Sequence, residues 1–402
     1  MRVGQDVFAS KAAKYANLTP TTIQRISEQM ENGTYSFQDP KEQDVLELMR
    51  NVHQINSNIM GSSATCLKMR NKIRGMITSL GAPSFFITIN PADVYSPLIN
   101  LLTGEEINIE CLLPKQVSDY HHQSHLIAKD PVLAAWFFDA YMKTFFDTIL
   151  HFNDCLTNEI QSSVLGITKG YYGTVEAQGR GSLHCHMLVW LEGGLNPTEI
   201  CDHLLNDPDG PFEKHLISYL EENIQSAIPD DPGDILNVPS SHHPCSVWPI
   251  VRGKDEAFDM YTQRQLKDLY NLTKQCQMHN HNADCYKNWK GPPAEKTCHS
   301  NLDEKRCNDK TSIDQATGET HGQCIDGMVN QFNKTMLEVI HCNMDIKFIG
   351  SGYAAHAVLY YITDYISKTQ LKSHVAYNVL ETAICHLNEY DNDDSLTPKN
   401  QA

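Results

Sequence analysis

The chain has 402 residues, 41% hydrophobic and 20% charged, which is the balance of an ordinary globular protein long enough for two or three structural units. A formal net charge of −17 argues against a generic basic nucleic-acid coat. No run approaches the roughly 18 apolar residues of a membrane span, and the opening from Met1 to Asp6 lacks the apolar core of a signal peptide, so a nuclear or cytosolic location is expected. Much of the acidity is local: between positions 202 and 234 nine carboxylates face Lys214 alone. Thirteen cysteines, an odd number without a secretory signal, read as reduced thiols and metal ligands rather than a disulfide framework.

In chain order, Thr19-Pro20 and Asp39-Pro40 offer helix N-caps. Helix-period apolar positions follow over 40–54 (Val45, Leu46, Leu48, Met49, Val52) and over 62–79. The second of these carries Lys68, Arg70, Lys72 and Arg74, which suit either a DNA groove or a solvated face. Gly81 to Pro83 closes this helical region, and Phe85 to Ile89 reads as a central strand delivering Asn90 and Asp93 to its end. Pro131 opens a helix over 132–150 whose Trp136, Phe137, Phe138, Tyr141, Phe145 and Phe146 are expected to pack on a sheet. Strands over 166–176 and 182–191 form an antiparallel hairpin through Gly179, Arg180 and Gly181. Helices are expected at 197–207 and 211–227. From 229 to 327 the pattern weakens into a Cys/His-rich insertion with one helix near 257–278. Helical periodicity returns at 328–342, 352–368 and 371–388. The expected division is an N-terminal helical region (1–80), a first core part (81–228), the insertion (229–327), a tyrosine-bearing core part (328–390) and a loose tail (391–402).

Two patterns carry chemistry. His184 and His186 stand at i and i+2 of a strand, so both rings share a face and can meet one metal ion. A polar third ligand is expected on the neighbouring arm, with Gln178 first and Glu176 next. Tyr361 and Tyr365 stand at i and i+4 of a helix and share its surface, with Lys368 one turn on. Tyr353 and Tyr360 fall on other helix faces and are expected in the core. A metal-binding histidine pair with paired tyrosines points to phosphodiester transfer through a phosphotyrosine, which conserves bond energy for resealing. Arg180, flanked by glycines, can approach a phosphate closely or serve as a plain turn residue; Asn90 and Asp93 suit DNA-backbone contact or a strand-ending turn.

The segments Phe85–Asp93, Glu176–His186, Asn343–Asp345 and Tyr361–Lys368, in that order, resemble the helicase-like N-terminal domain of Helitron transposases, a region that holds a rolling-circle replication initiator (HUH) endonuclease. The resemblance runs over roughly residues 60 to 385. It implies an α+β fold in which an antiparallel sheet of about five strands carries the histidine pair on a central strand, with helices on one face and the tyrosine helix close beneath the histidines. It implies nicking and joining of single-stranded DNA at transposon ends, Mg²⁺ or Mn²⁺ as cofactor, Tyr361 and Tyr365 as the two family tyrosines, and roles for Asn343 and Asp345. A helicase normally follows in the family; this chain shows no G-x-x-x-x-G-K-[ST] loop, so that module is expected to be absent from it.

Cys276, His279, His281 and Cys285, followed by Cys298 and Cys307, supply soft ligands at short spacings in a segment poor in apolar residues, where a structural Zn²⁺ is physically sensible. Cys245 and Cys324 are outliers to that group. Two rival readings stay open: a non-catalytic DNA-binding remnant or repurposed transposon fragment, and a hydrolase using the H-x-H pair for a catalytic zinc, which leaves the paired tyrosines unexplained.

Overall fold

A computed structural model of the chain describes residues 63–104, 120–152, 162–177, 182–207, 210–235, 242–286 and 302–367 (316 excepted), with single positions elsewhere. The helix expected over 40–54 is described only at scattered helical positions; the helix over 371–388 and the tail lie outside the described residues. The chain divides into two compact units, residues 75–362 and residues 1–74 with 363–402.

The described helices and strands run α1 (Ser63–Leu80), β1 (Phe85–Asn90), α2 (Leu98–Leu102), α3 (Tyr120–Lys129), α4 (Pro131–Thr148), β2 (Thr168–Ala177), β3 (Leu183–Leu191), α5 (Pro197–Asn206), α6 (Pro211–Asn223), α7 (Phe258–Leu272), β4 (Ser312–Ile313), β5 (Thr320–His321), α8 (Lys334–Ile340), β6 (Asn343–Phe348) and α9 (Gly352–Ser367). Several begin where local chemistry dictates. Asp130 accepts from Val132 N and Leu133 N ahead of Pro131, and Asn196 forms a reciprocal capping box with Glu199 ahead of Pro197. Gly81, in the left-handed region at φ 83°, stops α1, and its carbonyl accepts from the Trp190 indole at 2.9 Å.

The main sheet is antiparallel, in the order β2-β3-β1-β6. β3 is therefore central, paired along both edges. Alternation then sorts the side chains. Phe85, Ile87, Ile89, Cys185, Met187, Val189, Met344 and Ile346 enter one core with Phe138, Met142 and Phe145 of α4, Leu269 and Leu272 of α7, and Met336 and Leu337 of α8. Burying each large apolar side chain there contributes about 1.5–3 kcal/mol before chain entropy is counted.

Four strands stand in this sheet among the described residues, against an expectation of about five. Helices also pack on both faces. α4, α7 and α8 cover the core face; opposite them Tyr361 of α9 meets Phe86, and Met76 and Leu80 of α1 close over Gly170 of β2. The large aromatic of α4 expected inside, Trp136, is 65% exposed, because the buried stripe follows Leu133, Ala134, Phe137, Phe138, Met142 and Phe145. Tyr353 and Tyr360 are exposed as well, not in the core. The helix expected from 328 starts only at Lys334. Residues before it are extended, bridging Met278 to Val329 and Gln225 to Phe332, and Asn333 caps the start through Met336 N.

Candidate functional site

On β3 the residues facing away from the main core are His184, His186, Leu188 and Trp190. The register places Glu176 of β2 directly across from His184, and places Thr174 of β2 and Thr88 of β1 on either side of His186. Glu176 Oε2 lies 3.2 Å from His184 Nε2 and 3.7 Å from His186 Nε2. Both rings are buried, while the carboxylate is one-third exposed. Thr88 Oγ1 holds His186 Nδ1 at 3.0 Å, and Phe86 lies parallel to the same ring, so two β1 side chains fix its orientation. The two imidazoles meet edge to face at a centroid distance of 4.7 Å.

Burial pushes the His184 pKa down, opposed by the neighbouring Glu176 carboxylate. The ring is thus neutral at physiological pH and offers a lone pair. Glu176, His184 and His186 present three ligand atoms within 4.8 Å of one another. Two imidazoles and a carboxylate converging on one point are a donor set that a divalent cation takes; the residues fit a metal.

Tyr361 reaches this face from α9. Its ring stands edge-on to His186 at 5.4 Å and to Phe86 at 5.7 Å, and the residue is 38% exposed. Tyr365 lies one turn further along the same helix; nothing of its side chain is described. Gln178, Arg180 and Lys368 lie outside the described residues. Asn90 ends β1 and borders a cleft of about 340 Å³ with Asp93, Ser182 and Asn343. Asp93 is buried. Its Oδ1 accepts from Val94 N at 2.7 Å and from Ser182 Oγ at 3.1 Å, which ties the turn after β1 to the start of β3. Asn343 donates to the Cys276 carbonyl at 2.5 Å, and Asp345 pairs with Lys347 at 3.0 Å.

The Cys/His-rich segment resolves into two groups. His279, His281, Cys285 and Cys298 converge within 4.8 Å, with His279 Nε2 at 3.3 Å from Cys285 Sγ and 3.4 Å from Cys298 Sγ. Cys276, expected among them, is not. It ends up 3.2 Å from Cys245 Sγ, in a second group completed by His243. The cause is the π-helical turn Thr273–Gln277 after α7. Asn343 holds the Cys276 carbonyl there, whereas His279 N bonds Met328 O at 2.8 Å and starts the next segment in another direction. Cys307 is exposed and belongs to neither group.

Thr88 and Phe86 escaped the sequence reading, as did the pairing of Cys245 with Cys276. The first two follow from strand register alone; the last joins positions 31 residues apart. No helix among the described residues is long and apolar enough to cross a membrane.

No curated protein matches the chain. A family model does, over residues 3–189; it begins earlier and stops sooner than the span of the resemblance, so it takes in Glu176, His184 and His186 and ends before the cysteine groups and Tyr361. The family is described as the Helitron helicase-like domain at the N-terminus, and its function is transposase-related and involves DNA. Residues 3–189 are thus similar to the Helitron helicase-like domain, with a candidate metal triad at the C-terminal end of the matched span.

Proposed function

We propose that the chain nicks single-stranded DNA and transfers the strand through a covalent 5′-phosphotyrosine, as the HUH endonuclease part of a rolling-circle transposase. One observation carries this reading: Tyr361 stands edge-on to His186, on the sheet face that holds Glu176 and His184. A phenol and a metal-ligand set on one face are what phosphoryl transfer to tyrosine requires.

In this reading Tyr361 Oη attacks the scissile phosphorus. The Tyr361 O–P bond forms as the P–O3′ bond breaks, and the leaving 3′ oxygen takes up a proton to become a free 3′-OH. Mg²⁺ or Mn²⁺ held by Glu176, His184 and His186 would polarise the phosphate and offset charge on the leaving oxygen. Phenol ionises near pH 10 in water, so Tyr361 needs a neighbouring positive charge in the transition state; Lys368 is assigned that role from its spacing. Tyr365, one turn from Tyr361, is assigned to hold or receive the second strand end. Thr88 and Phe86 keep the His186 ring in the orientation that faces Glu176. Transposon-end DNA is the proposed substrate, with Arg180 and Asn90 on its backbone.

His279, His281, Cys285 and Cys298 are proposed to hold a structural Zn²⁺. Four N and S ligands make a closed tetrahedral set, and the polar segment around them has little apolar surface to order it otherwise.

The test uses 5′-labelled and 3′-labelled single-stranded oligonucleotides with Mn²⁺, resolved on a denaturing gel. The expected product is a protein adduct retaining only the 3′-side fragment, lost when His184 and His186 become Ala and altered by Tyr361→Phe or Tyr365→Phe. Absence of any adduct across varied sequences, with metal occupancy confirmed, would move the reading to a non-catalytic DNA-binding module. Cleavage that survives both Tyr→Phe changes would identify a hydrolase instead.

A further inference from the structure

The geometry points to a second soft-metal site, separate from both the sheet triad and the four-residue zinc set, built from His243, Cys245 and Cys276. These residues belong to segments far apart in sequence, yet their ligand atoms lie within 4.8 Å of one another, the two sulfurs 3.2 Å apart. One imidazole and two thiols form a donor set for a borderline or soft divalent ion of the zinc class rather than for Mg²⁺ or Ca²⁺.

Three features hold the ligands in place before any ion arrives. His243 lies flat against Tyr95, with ring centroids 3.7 Å apart and planes 5° from parallel. Cys245 sits in the short 3-10 segment Pro244–Ser246, whose Pro244 carbonyl is held by His341 Nδ1 at 3.1 Å, while His341 Nε2 lies 3.0 Å from the buried Asp268 carboxylate. His341, which makes this bridge, is the left-handed C-cap of α8 at φ 45°, so the helix end fixes where its ring starts. Cys276 stands in the π-helical turn, gripped by Asn343 through its carbonyl.

The site is not closed. His243, Cys245 and Cys276 line the same cleft as Asn90, Ser182 and Asn343, so a bound ion has three protein ligands and a fourth position turned to that opening, filled by water. The ion would tie the 243–246 segment to the π turn, which Asn343 already joins to β6. This site does not depend on the nicking reading.

The full-length chain, purified reduced and stripped of metal, is reconstituted with Co²⁺ and its sulfur-to-cobalt charge-transfer absorption measured. The triad contributes none, since it holds no sulfur. The four-residue set contributes two thiolates and the proposed site two more. Wild type should therefore show the intensity of four thiolates; Cys245→Ser with Cys276→Ser should remove about half, and Cys285→Ser with Cys298→Ser the other half. The wild-type intensity needs no variant and so stands even if a variant misfolds. A two-thiolate intensity untouched by the first pair of changes overturns the site, as does a Cys245–Cys276 disulfide found by mass in the chain as isolated without reductant.

Discussion

The sheet triad and the Cys/His segments are both candidate metal centres, yet they are built on opposite principles. Glu176, His184 and His186 sit on two neighbouring strands whose ladder fixes register residue by residue, and one further strand supplies Thr88 to set a ring. The cysteine groups hang on turns, a 3-10 segment and a π turn, drawn from positions 243 to 298. A site on a hydrogen-bonded ladder keeps its shape without an ion, because the backbone holds the ligands; the four-residue set of His279, His281, Cys285 and Cys298 draws on the ion to offset the entropy of ordering its loops.

The largest effect that would break this contrast is metal removal. Zinc binding in small zinc-folded modules is worth about 10–16 kcal/mol. Chelating the four-residue set should therefore expose Met278 to Tyr286 to proteases while the sheet core still melts cooperatively. Limited proteolysis with mass mapping would read this, and unfolding of the sheet together with the loops would show that the two regions are not independent.

Next comes His184→Ala with His186→Ala. Removing the metal ligands is expected to lower adduct formation by about 10³-fold or more, several kcal/mol of lost charge stabilisation. The circular dichroism spectrum should stay unchanged, because β3 keeps its ladder. Phe85→Ala, in the core beneath the sheet, should cost about 3–5 kcal/mol in denaturant unfolding. It should weaken both regions, since α7, which leads into the π turn, packs on the same core. The smallest effect expected is from Asp93→Ala, about 1–3 kcal/mol for leaving Val94 N and Ser182 Oγ without this acceptor. If DNA affinity fell with no loss of stability, Asp93 would be a substrate contact rather than a tie between β1 and β3.

Much of the fold was legible in the sequence because local signals there were strong. Pro131 marked a helix start that the structure places at that proline, and the helix expected from 197 begins at Pro197. The alternation through His184 and His186 marked a strand that is central in the described sheet. β6 was missed although Met344, Ile346 and Phe348 alternate, because six residues between two helical patterns carry too little period to stand out. Trp136 was placed inside because an aromatic run hides which side of the helix faces the sheet; only the packing of Phe137 and Phe138 decides it.

The sequence by itself determined the chemistry available: two imidazoles on one strand face, two phenols one turn apart on a helix, and a run of soft ligands in a polar segment. Local backbone periodicity fixes such relations over a few residues, so they can be read without a fold. The tertiary structure alone decided the company these groups keep. It set Glu176 against both histidines, brought Tyr361 over His186, and turned Cys276 away from His279 toward Cys245. Those pairings depend on strand register and on a helix end unwinding into a π turn, which are settled by burial and hydrogen bonding between segments distant along the chain.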